Sequence, residues 1–538
     1  MTSPALRALL LALPLAVAGC LSTAPDAPPD GQRPRAADLE PAWYERALAH
    51  DPGHNHSDLA EHLNASTPNF HLLGHEPLLI DALGGKPAFN YGCGDAKQKA
   101  DGRRLAVVNG FMSDLAFALV DVTDPAKPFK VGEYYSKGLR SYDAALTPDG
   151  NYVVLAFTGQ PRVPGGGAPT LAWRTACASG EWALGDAPFA MAGPDAAVAN
   201  GVVLVDVSAP EAPAYADYEP TPGRNVHSVS TAEIDGETWI MVSVLGGVSP
   251  GVVPTLPGGH FLSYVAFDQI EETPLGPKLV RVATVDSPPV NPGDGDPVVP
   301  IRNGHVDAAM QRHPIDGKVY AYIADWEGGV ITVDMSNPRA PVPVGFWRPP
   351  SDGTLVRPDG DGPCYLTAVH EAYPIEEVWD GRHYYLAGQE CPGKEEGAPG
   401  GSVFIVDNTD PASPQTVGEW HLPADTGVWE VIYQASPHYV AVVNRTLFVS
   451  SYHAGLWAVD LSTAEKLKSP PSVGVYLPDR PPAVPPDSPQ VTPNDEQVTA
   501  LPDGTLVLIE QSSGVYVLRF DETDPAPPAP PYDYGASG

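Results

Sequence analysis

The sequence has few basic residues. It holds 31 Lys and Arg against 66 Asp and Glu, which gives a formal net charge of −35. A field of that sign repels phosphate backbones and anionic lipid headgroups. We therefore expect no nucleic-acid partner and no electrostatic binding to a membrane surface.

Long segments without proline or glycine are also scarce. The 538 residues include 63 Pro and 53 Gly, which leaves little room for long helices. Val, Thr, Tyr and Trp recur in short runs between turn residues, a pattern typical of many short strands. The H-E-x-x-H and P-loop patterns are absent, so a zinc-protease or kinase template has no support. Whether the chain is an enzyme stays open at this point.

The N-terminus has the features of an export signal. An apolar run from Leu9 to Val17 is too short to span a bilayer and is followed by Ala18-Gly19-Cys20. This ending resembles a bacterial lipoprotein signal, which implies removal of residues 1–19 and a lipid on Cys20. The alternative is an ordinary signal peptide that ends beside a cysteine. We expect an extracytoplasmic lipoprotein, attached to the membrane only by this anchor, at the cell surface or on the periplasmic side of the outer membrane.

The rest of the chain divides by composition. We expect a flexible Pro-rich stalk at 20–40, a pre-domain segment at 41–75, a folded domain at 76–523 and a disordered Pro-rich tail at 524–538.

Cysteines are few as well, and four remain after Cys20. In an exported protein an even number favours disulfides over free thiols. Cys364 and Cys391 flank two predicted strands joined by a turn, so we expect these two to pair. Cys93 with Cys177 follows only by elimination.

One phrase recurs along the chain. Each copy has an apolar strand, a turn with Asp, Asn or Ser and Pro, and a second strand of the Val-Gly-Glu-Trp type. Four clear copies are ALVDVTDPAKPFKVGEY, VLVDVSAPEAPAYADY, ITVDMSNPRAPVPVGFW and FIVDNTDPASPQTVGEW, and three weaker ones begin at 264, 456 and 515. Asx side chains bond the turn backbone and Pro fixes φ, as a tight turn requires. With a further hairpin before each copy, the seven units predict an all-β, seven-bladed β-propeller of four-stranded antiparallel blades.

The phrases LVDVTDP, LVDVSAP, TVDMSNP and IVDNTDP resemble the LVIVD-repeat family. The resemblance covers about residues 76 to 520. It implies an extracytoplasmic β-propeller, and it assigns no reaction.

The two ends of the chain are expected to meet. The last unit ends near Phe520 without an outer strand, whereas residues 76–81 read as an unpaired strand before the first hairpin. We expect this N-terminal strand to complete the C-terminal blade, because closure of the ring removes exposed strand edges.

Histidines recur at the start of the innermost strands. Alignment on the turn after each strand gives one predicted ring in the channel: Asp95, Asp143, His227, His305, His370, His438 and Gln497. Imidazoles suit copper and zinc. The predicted metal ligands are the four histidines and the two aspartates of this ring. The alternative is that these side chains bond channel water and one another.

Two functions are compatible with this arrangement. Long insertions, notably at 160–200, 246–262 and 391–401, are expected to rim the mouth that carries the histidines. Because loops on a rigid scaffold carry binding sites, we favour a cell-surface module that binds an extracellular ligand or protein partner. The alternative is a metal-dependent enzyme of the copper or zinc type, an oxidoreductase.

Overall fold

A computed structural model gives the structure of this chain in segments. The described residues are 66–67, 69–80, 86–87, 91–110, 115–135, 140–158, 201–221, 225–245, 263–286, 305–326, 328–350, 368–390, 401–421, 436–452, 454–478, 495–511 and 513–522. The predicted lipid-bearing Cys20, the stalk, the tail and the long insertions lie outside these residues.

The described strands form seven four-stranded antiparallel sheets and one two-stranded pair. Ahead of the first complete blade come Phe70–Glu76 (β1), Leu79–Ile80 (β2) and Lys86–Pro87 (β3). Blade 1 is Gly94–Gln98 (β4), Arg104–Asn109 (β5), Leu115–Asp121 (β6) and Phe129–Tyr135 (β7). Blade 2 is Arg140–Leu146 (β8), Tyr152–Thr158 (β9), Gly201–Asp206 (β10) and Ala214–Pro220 (β11). Blade 3 is Asn225–Ile234 (β12), Glu237–Leu245 (β13), Tyr264–Thr273 (β14) and Gly276–Asp286 (β15).

The remaining blades repeat this plan. Blade 4 is His305–Arg312 (β16), Val319–Asp325 (β17), Gly329–Asp334 (β18) and Val342–Trp347 (β19). Blade 5 is Val369–Pro374 (β20), Tyr384–Gln389 (β21), Ser402–Asp407 (β22) and Gln415–His421 (β23). Blade 6 is Val440–Val443 (β24), Thr446–Ser450 (β25), Leu456–Asp460 (β26), the short helix Ala464–Lys468 (α1) and Ser472–Tyr476 (β27). Blade 7 is Asp495–Ala500 (β28), Leu506–Glu510 (β29) and Gly514–Phe520 (β30), completed by β1. The predicted seven-bladed propeller is confirmed.

The middle strands of the blades carry the core. Strands such as β6 and β22 are buried along almost their whole length, because neighbouring blades cover both of their faces. Leu119 of blade 1 and Val153 and Val203 of blade 2 belong to one such interblade cluster. These strands therefore read as continuous apolar runs in the sequence.

The repeated turn works as its composition predicts. In five blades the aspartate that ends the third strand accepts the N–H two residues further on, at 2.8–2.9 Å: Asp121, Asp206, Asp334, Asp407 and Asp460. Blade 3 differs, since its Asp268 is buried and forms a bidentate ion pair with Arg281. This difference accounts for the weakness of that copy of the phrase.

The glycine of the outer strand is required by the next blade. A Cβ on Gly132 would overlap the carbonyl oxygen of Pro210, and one on Gly345 would overlap that of Pro411. In blade 5 the same contact is made by Gly418 with the carbonyl of Leu467 in α1. The recurring Val-Gly pair thus marks where each outer strand touches the turn of its neighbour.

The ring is closed by an N-terminal strand, but not by the residues predicted. The closing strand is β1, which pairs with β30 from Phe70 opposite Phe520 to Glu76 opposite Val515. Only Glu76 of the predicted strand 76–81 belongs to it, and β2 pairs with β3 instead. Gly74 of β1 lies against the carbonyl of Pro125, the same contact that other outer strands make. The histidine-rich composition before residue 76 concealed this strand.

No helix in the described part of the chain is long and apolar enough to cross a membrane.

We predict that Gly345→Ala lowers the free energy of unfolding by about 1–3 kcal/mol, because its Cβ forces the outer strand away from Pro411. Urea unfolding of the purified domain measures this. Gly388→Ala is the matched control, since a Cβ there meets its nearest atoms at an ordinary 3.9 Å. Equal unfolding midpoints for the two variants would contradict the proposed role of this glycine.

We also predict that a chain starting at residue 77 is much less stable than one starting at residue 66. Loss of β1 exposes the edge of β30 and removes Phe70, which packs against Phe520 and Phe448 at ring-centroid distances of 4.9 and 6.1 Å. Thermal unfolding and light scattering compare the two chains. Identical melting temperatures and solubility would show that β1 is dispensable for closure.

Candidate metal centre

An extra residue interrupts the inner strand of most blades. In five blades the pairing with the second strand shifts by one residue, which leaves one residue bulged: Tyr142, His227, Val306, His370 and Glu496. The residues that directly follow are Asp143, Ser228, Asp307, Glu371 and Gln497. Bulges re-aim side chains and are frequent next to active sites.

These bulges divide the predicted ring into two sets. His227 and His370 occupy the bulge position, whereas Asp143 and Gln497 occupy the position after it. His305 precedes the bulge of its blade, and its side chain lies outside the description. The observed register therefore differs by one or two residues from the single predicted ring. The sequence alignment counted residues back from the turn, so it could not detect the residue that each bulge inserts.

Three of the predicted histidines do come together. The rings of His370 and His438 lie 4.3 Å apart between centroids, and those of His227 and His370 lie 5.8 Å apart. All three are buried. The carboxylate of Glu390, which directly follows β21, joins them with Oε2 3.8 Å from Nε2 of His370. One ligand atom each from His370, Glu390 and His438 all lie within 4.8 Å of one another.

Neighbouring groups fix the orientation of this cluster. Nδ1 of His438 lies 2.7 Å from the backbone oxygen of Glu496. A carbonyl oxygen only accepts, so Nδ1 carries the proton and Nε2 keeps its lone pair. The Glu496 carboxylate lies 3.3 Å from the same Nδ1 and accepts a bond from the Gln511 amide. The Tyr452 hydroxyl donates to Oε1 of Glu390 at 2.6 Å.

Some polar atoms of the cluster have no such partner. Within the described residues, neither ring nitrogen of His370 makes a hydrogen bond, and neither does Oε2 of Glu390. His370 is fully buried and Glu390 is 2% exposed. A buried polar group without a partner costs about 1–3 kcal/mol. Three such atoms close together indicate a site built for something that binds them.

Burial sets the charge of the cluster. It lowers the pKa of His438 to about 3, and burial with the neighbouring His438 and His227 lowers the pKa of His370 well below its usual value. Burial also raises the pKa of Glu390 to about 7. The imidazoles are therefore neutral at pH 7, which is the form that binds a metal ion.

The backbone beside the cluster is strained at two points. Ala368, two residues before His370, has φ of 44°, and Tyr452 has φ of 47°. Residues other than glycine rarely adopt this region, and such outliers concentrate at functional sites. Both residues hold parts of the cluster, since the carbonyl of Ala368 accepts the N–H of Glu390 at 2.9 Å.

A second buried pair of histidines shows how structural histidines differ. The rings of His313 and His383 lie 4.6 Å apart. Nε2 of His313 bonds the carbonyl of Asn408 at 3.0 Å, its Nδ1 lies 3.1 Å from Asp316, and Nε2 of His383 bonds the carbonyl of Ile375 at 2.8 Å. Hydrogen bonds within the chain explain this pair, and they do not explain His370.

Sequence reasoning missed Glu390 and Glu496. Glu390 follows a second strand, and Glu496 precedes the Gln497 that was aligned with the histidines. Neither belongs to a recognisable motif. The signal for Glu390 was an acidic residue directly after a largely apolar strand.

Cys93 lies beside this cluster. It forms a second set with His438 and Glu496 whose ligand atoms lie within 4.8 Å, but Cys93 is disulfide-bonded and so is not a thiolate donor. Its partner is outside the described residues, as are Cys177, Cys364 and Cys391. The pairings 93–177 and 364–391 therefore stay predictions.

The residues after the bulges form a separate acidic set. Oδ2 of Asp143 accepts the N–H of Val229 at 2.9 Å, and Oε2 of Glu371 accepts that of Val440 at 2.7 Å. Each of these bonds links an inner strand to that of the next blade. Burial raises the pKa of Asp143 to about 7, and burial with the neighbouring Asp143 raises the pKa of Asp307 to about 8. The predicted ligand Asp143 belongs here, whereas Asp95 lies in the inner strand of blade 1, which pairs without a bulge. Neither aspartate is part of the histidine cluster.

The blades, their turns and the sequence phrase define a repeat protein of the β-propeller class. Residues 316–346, which run from the first hairpin of blade 4 into β19, match the family model described as LVIVD repeat. With its seven blades, the chain is consistent with an LVIVD-repeat propeller, as the sequence resemblance predicted. No curated protein matches the chain.

Proposed function

We propose that this chain is a lipid-anchored, extracytoplasmic propeller that binds one transition-metal ion between His370, His438 and Glu390. The observation that carries the proposal is His370, a fully buried imidazole with two unbonded ring nitrogens in the described structure. Beside it stands a carboxylate oxygen that also lacks a partner there. A cation bound by all three residues would satisfy one ring nitrogen of His370 and this carboxylate oxygen together.

The donor set selects the class of metal. Two imidazoles and one carboxylate suit zinc and copper, which bind nitrogen at about 2.0–2.1 Å and prefer it more than calcium or magnesium do. Donors around a tetrahedral ion lie about 3.4 Å apart at these bond lengths. The 3.8 Å between His370 Nε2 and Glu390 Oε2 therefore needs only a small contraction.

The surroundings favour a reactive ion over a purely structural one. Three protein donors leave one coordination position open, which is the arrangement of catalytic sites. Ligands of catalytic metal ions are oriented by hydrogen-bonded neighbours. Here Glu496 contacts His438, and Tyr452 donates a hydrogen bond to Glu390. An open copper or zinc position supports the oxidoreductase or metal-dependent enzyme considered from the sequence.

The test is metal analysis of residues 36–538, purified without an affinity tag. We expect about one equivalent of copper or zinc after exposure to either ion, and none in His370→Phe, which keeps an aromatic ring but has no donor. Without metal, His370→Phe should be at least as stable as the wild type, since it removes unbonded buried nitrogens. With the metal at a hundred times its Kd, the wild type should gain about 2.7 kcal/mol. Absence of metal in the wild type, or its retention by His370→Phe, would refute the proposal.

Tyr452 provides a finer test as a positioning residue. We expect Tyr452→Phe to weaken metal binding by about 10- to 100-fold, because Glu390 loses the bond that orients it. Tyr439→Phe is the matched control, since its ring lies 4.7 Å from that of His438 but its hydroxyl bonds none of the ligands. Competition with a chromophoric chelator measures both affinities. Equal affinities in the two variants would remove Tyr452 from the site.

A further inference from the structure

A separate cavity lies among the inner strands. Its volume is about 160 Å³, and its lining includes Asp95, Asp143, Asp307, Glu371 and Tyr439. These residues come from the inner strands of blades 1, 2, 4, 5 and 6 or, for Tyr439, directly precede one. The cavity therefore lies where the blades converge and is distinct from the histidine cluster.

The lining carries an excess of acidic groups. Four carboxyl groups face one ammonium group, Lys97, whose Nζ lies 3.2 Å from Asp95 and is paired with it. Asp143 and Glu371 are 5% and 7% exposed. A cation bound in the cavity would favour the ionised form of these buried acids, which otherwise is costly.

Several polar atoms of the lining remain available to a ligand. Both oxygens of Asp143 accept backbone N–H groups. By contrast, only Oδ1 of Asp307 and only Oε2 of Glu371 accept hydrogen bonds within the described chain. One oxygen of each is therefore open.

Tyr439 is an independent sign of a ligand. Its side chain is 5% exposed and lines the cavity, and its hydroxyl makes no hydrogen bond within the described residues. An unbonded hydroxyl on a side chain this deeply buried, beside the carboxyl groups that line a cavity, points to an absent hydrogen-bonding partner.

The spacing of the acids argues for an organic cation rather than a bare metal ion. Ligand oxygens of three of them do not come within 4.8 Å of one another in the described structure, since the groups that do are the histidine-containing ones. A metal ion needs its donors that close, whereas N–H groups on different atoms of one molecule reach acceptors that are further apart. A cavity of ~150 Å³ accommodates a molecule as large as benzene, with six non-hydrogen atoms.

We propose that this cavity binds a small organic cation, a protonated amine of about six non-hydrogen atoms. Its ammonium groups donate to the open oxygens of Asp307 and Glu371 and to the hydroxyl of Tyr439. The proposal does not depend on metal binding, because none of these side chains belongs to the metal ligand set.

The experiment uses 1,4-diaminobutane as the probe, with isothermal titration calorimetry on residues 36–538 at pH 8. We expect saturable binding at one site, with 1,4-butanediol, its uncharged analogue of equal length, not binding. Asp307→Asn and Glu371→Gln should each weaken binding at least tenfold, and each keeps an oxygen for its backbone N–H. Asp235→Asn, at an exposed ion pair with Arg312, is the matched control and should bind as the wild type does.

Several results would overturn the proposal. These are no binding of the diamine, equal binding of the diol, binding of calcium chloride in place of the diamine, or unchanged affinity in both cavity variants.

Variants of two tyrosines distinguish this proposal from the metal site. Tyr439→Phe should weaken diamine binding and keep the metal, whereas Tyr452→Phe should weaken metal binding and keep the diamine. Failure of one pair of results leaves the other standing.

Discussion

The inner strands of this propeller are held by side chains that bond the backbone of the next blade. Asp143 accepts the N–H of Val229, Glu371 that of Val440, and Gln497 that of Gly94 at 2.7 Å. Backbone N–H groups at the convergence of blades are buried and need acceptors. The acceptors that meet this need are mostly carboxylates. The architecture itself thus concentrates acidic groups around the axis, and the acidic cavity is a consequence of how the ring is held together.

The bulge that precedes each acceptor has a second consequence. It places one additional residue in the inner strand without lengthening the blade, and in blades 3 and 5 that residue is histidine. The side chains of the bulge are thereby separated from those that bond the next blade. His370 and Glu371 are neighbours in sequence, yet one belongs to the histidine cluster and the other to the cavity.

The parts of the fold that repeat could be read from the sequence. The Asp-Pro turns and the Val-Gly strands recur because each makes the same local contact in the blades that carry it, such as Asp334 with the N–H of Ser336 and Gly345 with the carbonyl of Pro411. The closing strand was misplaced because β1 departs from the repeated phrase. Most of its residues were assigned to the pre-domain segment 41–75, whereas His75 stacks on Tyr516 with ring centroids 4.2 Å apart.

The site was predictable only in its residue types. The sequence alignment found His227, His370 and His438. A one-residue bulge, however, changes which side chains of neighbouring inner strands lie side by side, and bulges leave little trace in a sequence. Glu390 joins the cluster from a different strand of the same blade as His370, and Glu496 from the next blade after His438. Such contacts arise from the closed ring and not from any local pattern.

The histidine cluster and the cavity are connected through the backbone, because two dipeptides contribute one residue to each of them. In His370-Glu371 and in His438-Tyr439 the first residue belongs to the cluster and the second lines the cavity. The N–H of Val440, directly after the second dipeptide, is bonded by Glu371 of the first. A shift of either backbone therefore moves groups in both places. If occupation of one site changes the affinity of the other, linkage requires the reverse effect to be equal in free energy. A propeller whose channel is rigid elsewhere would transmit such a change through these two strands.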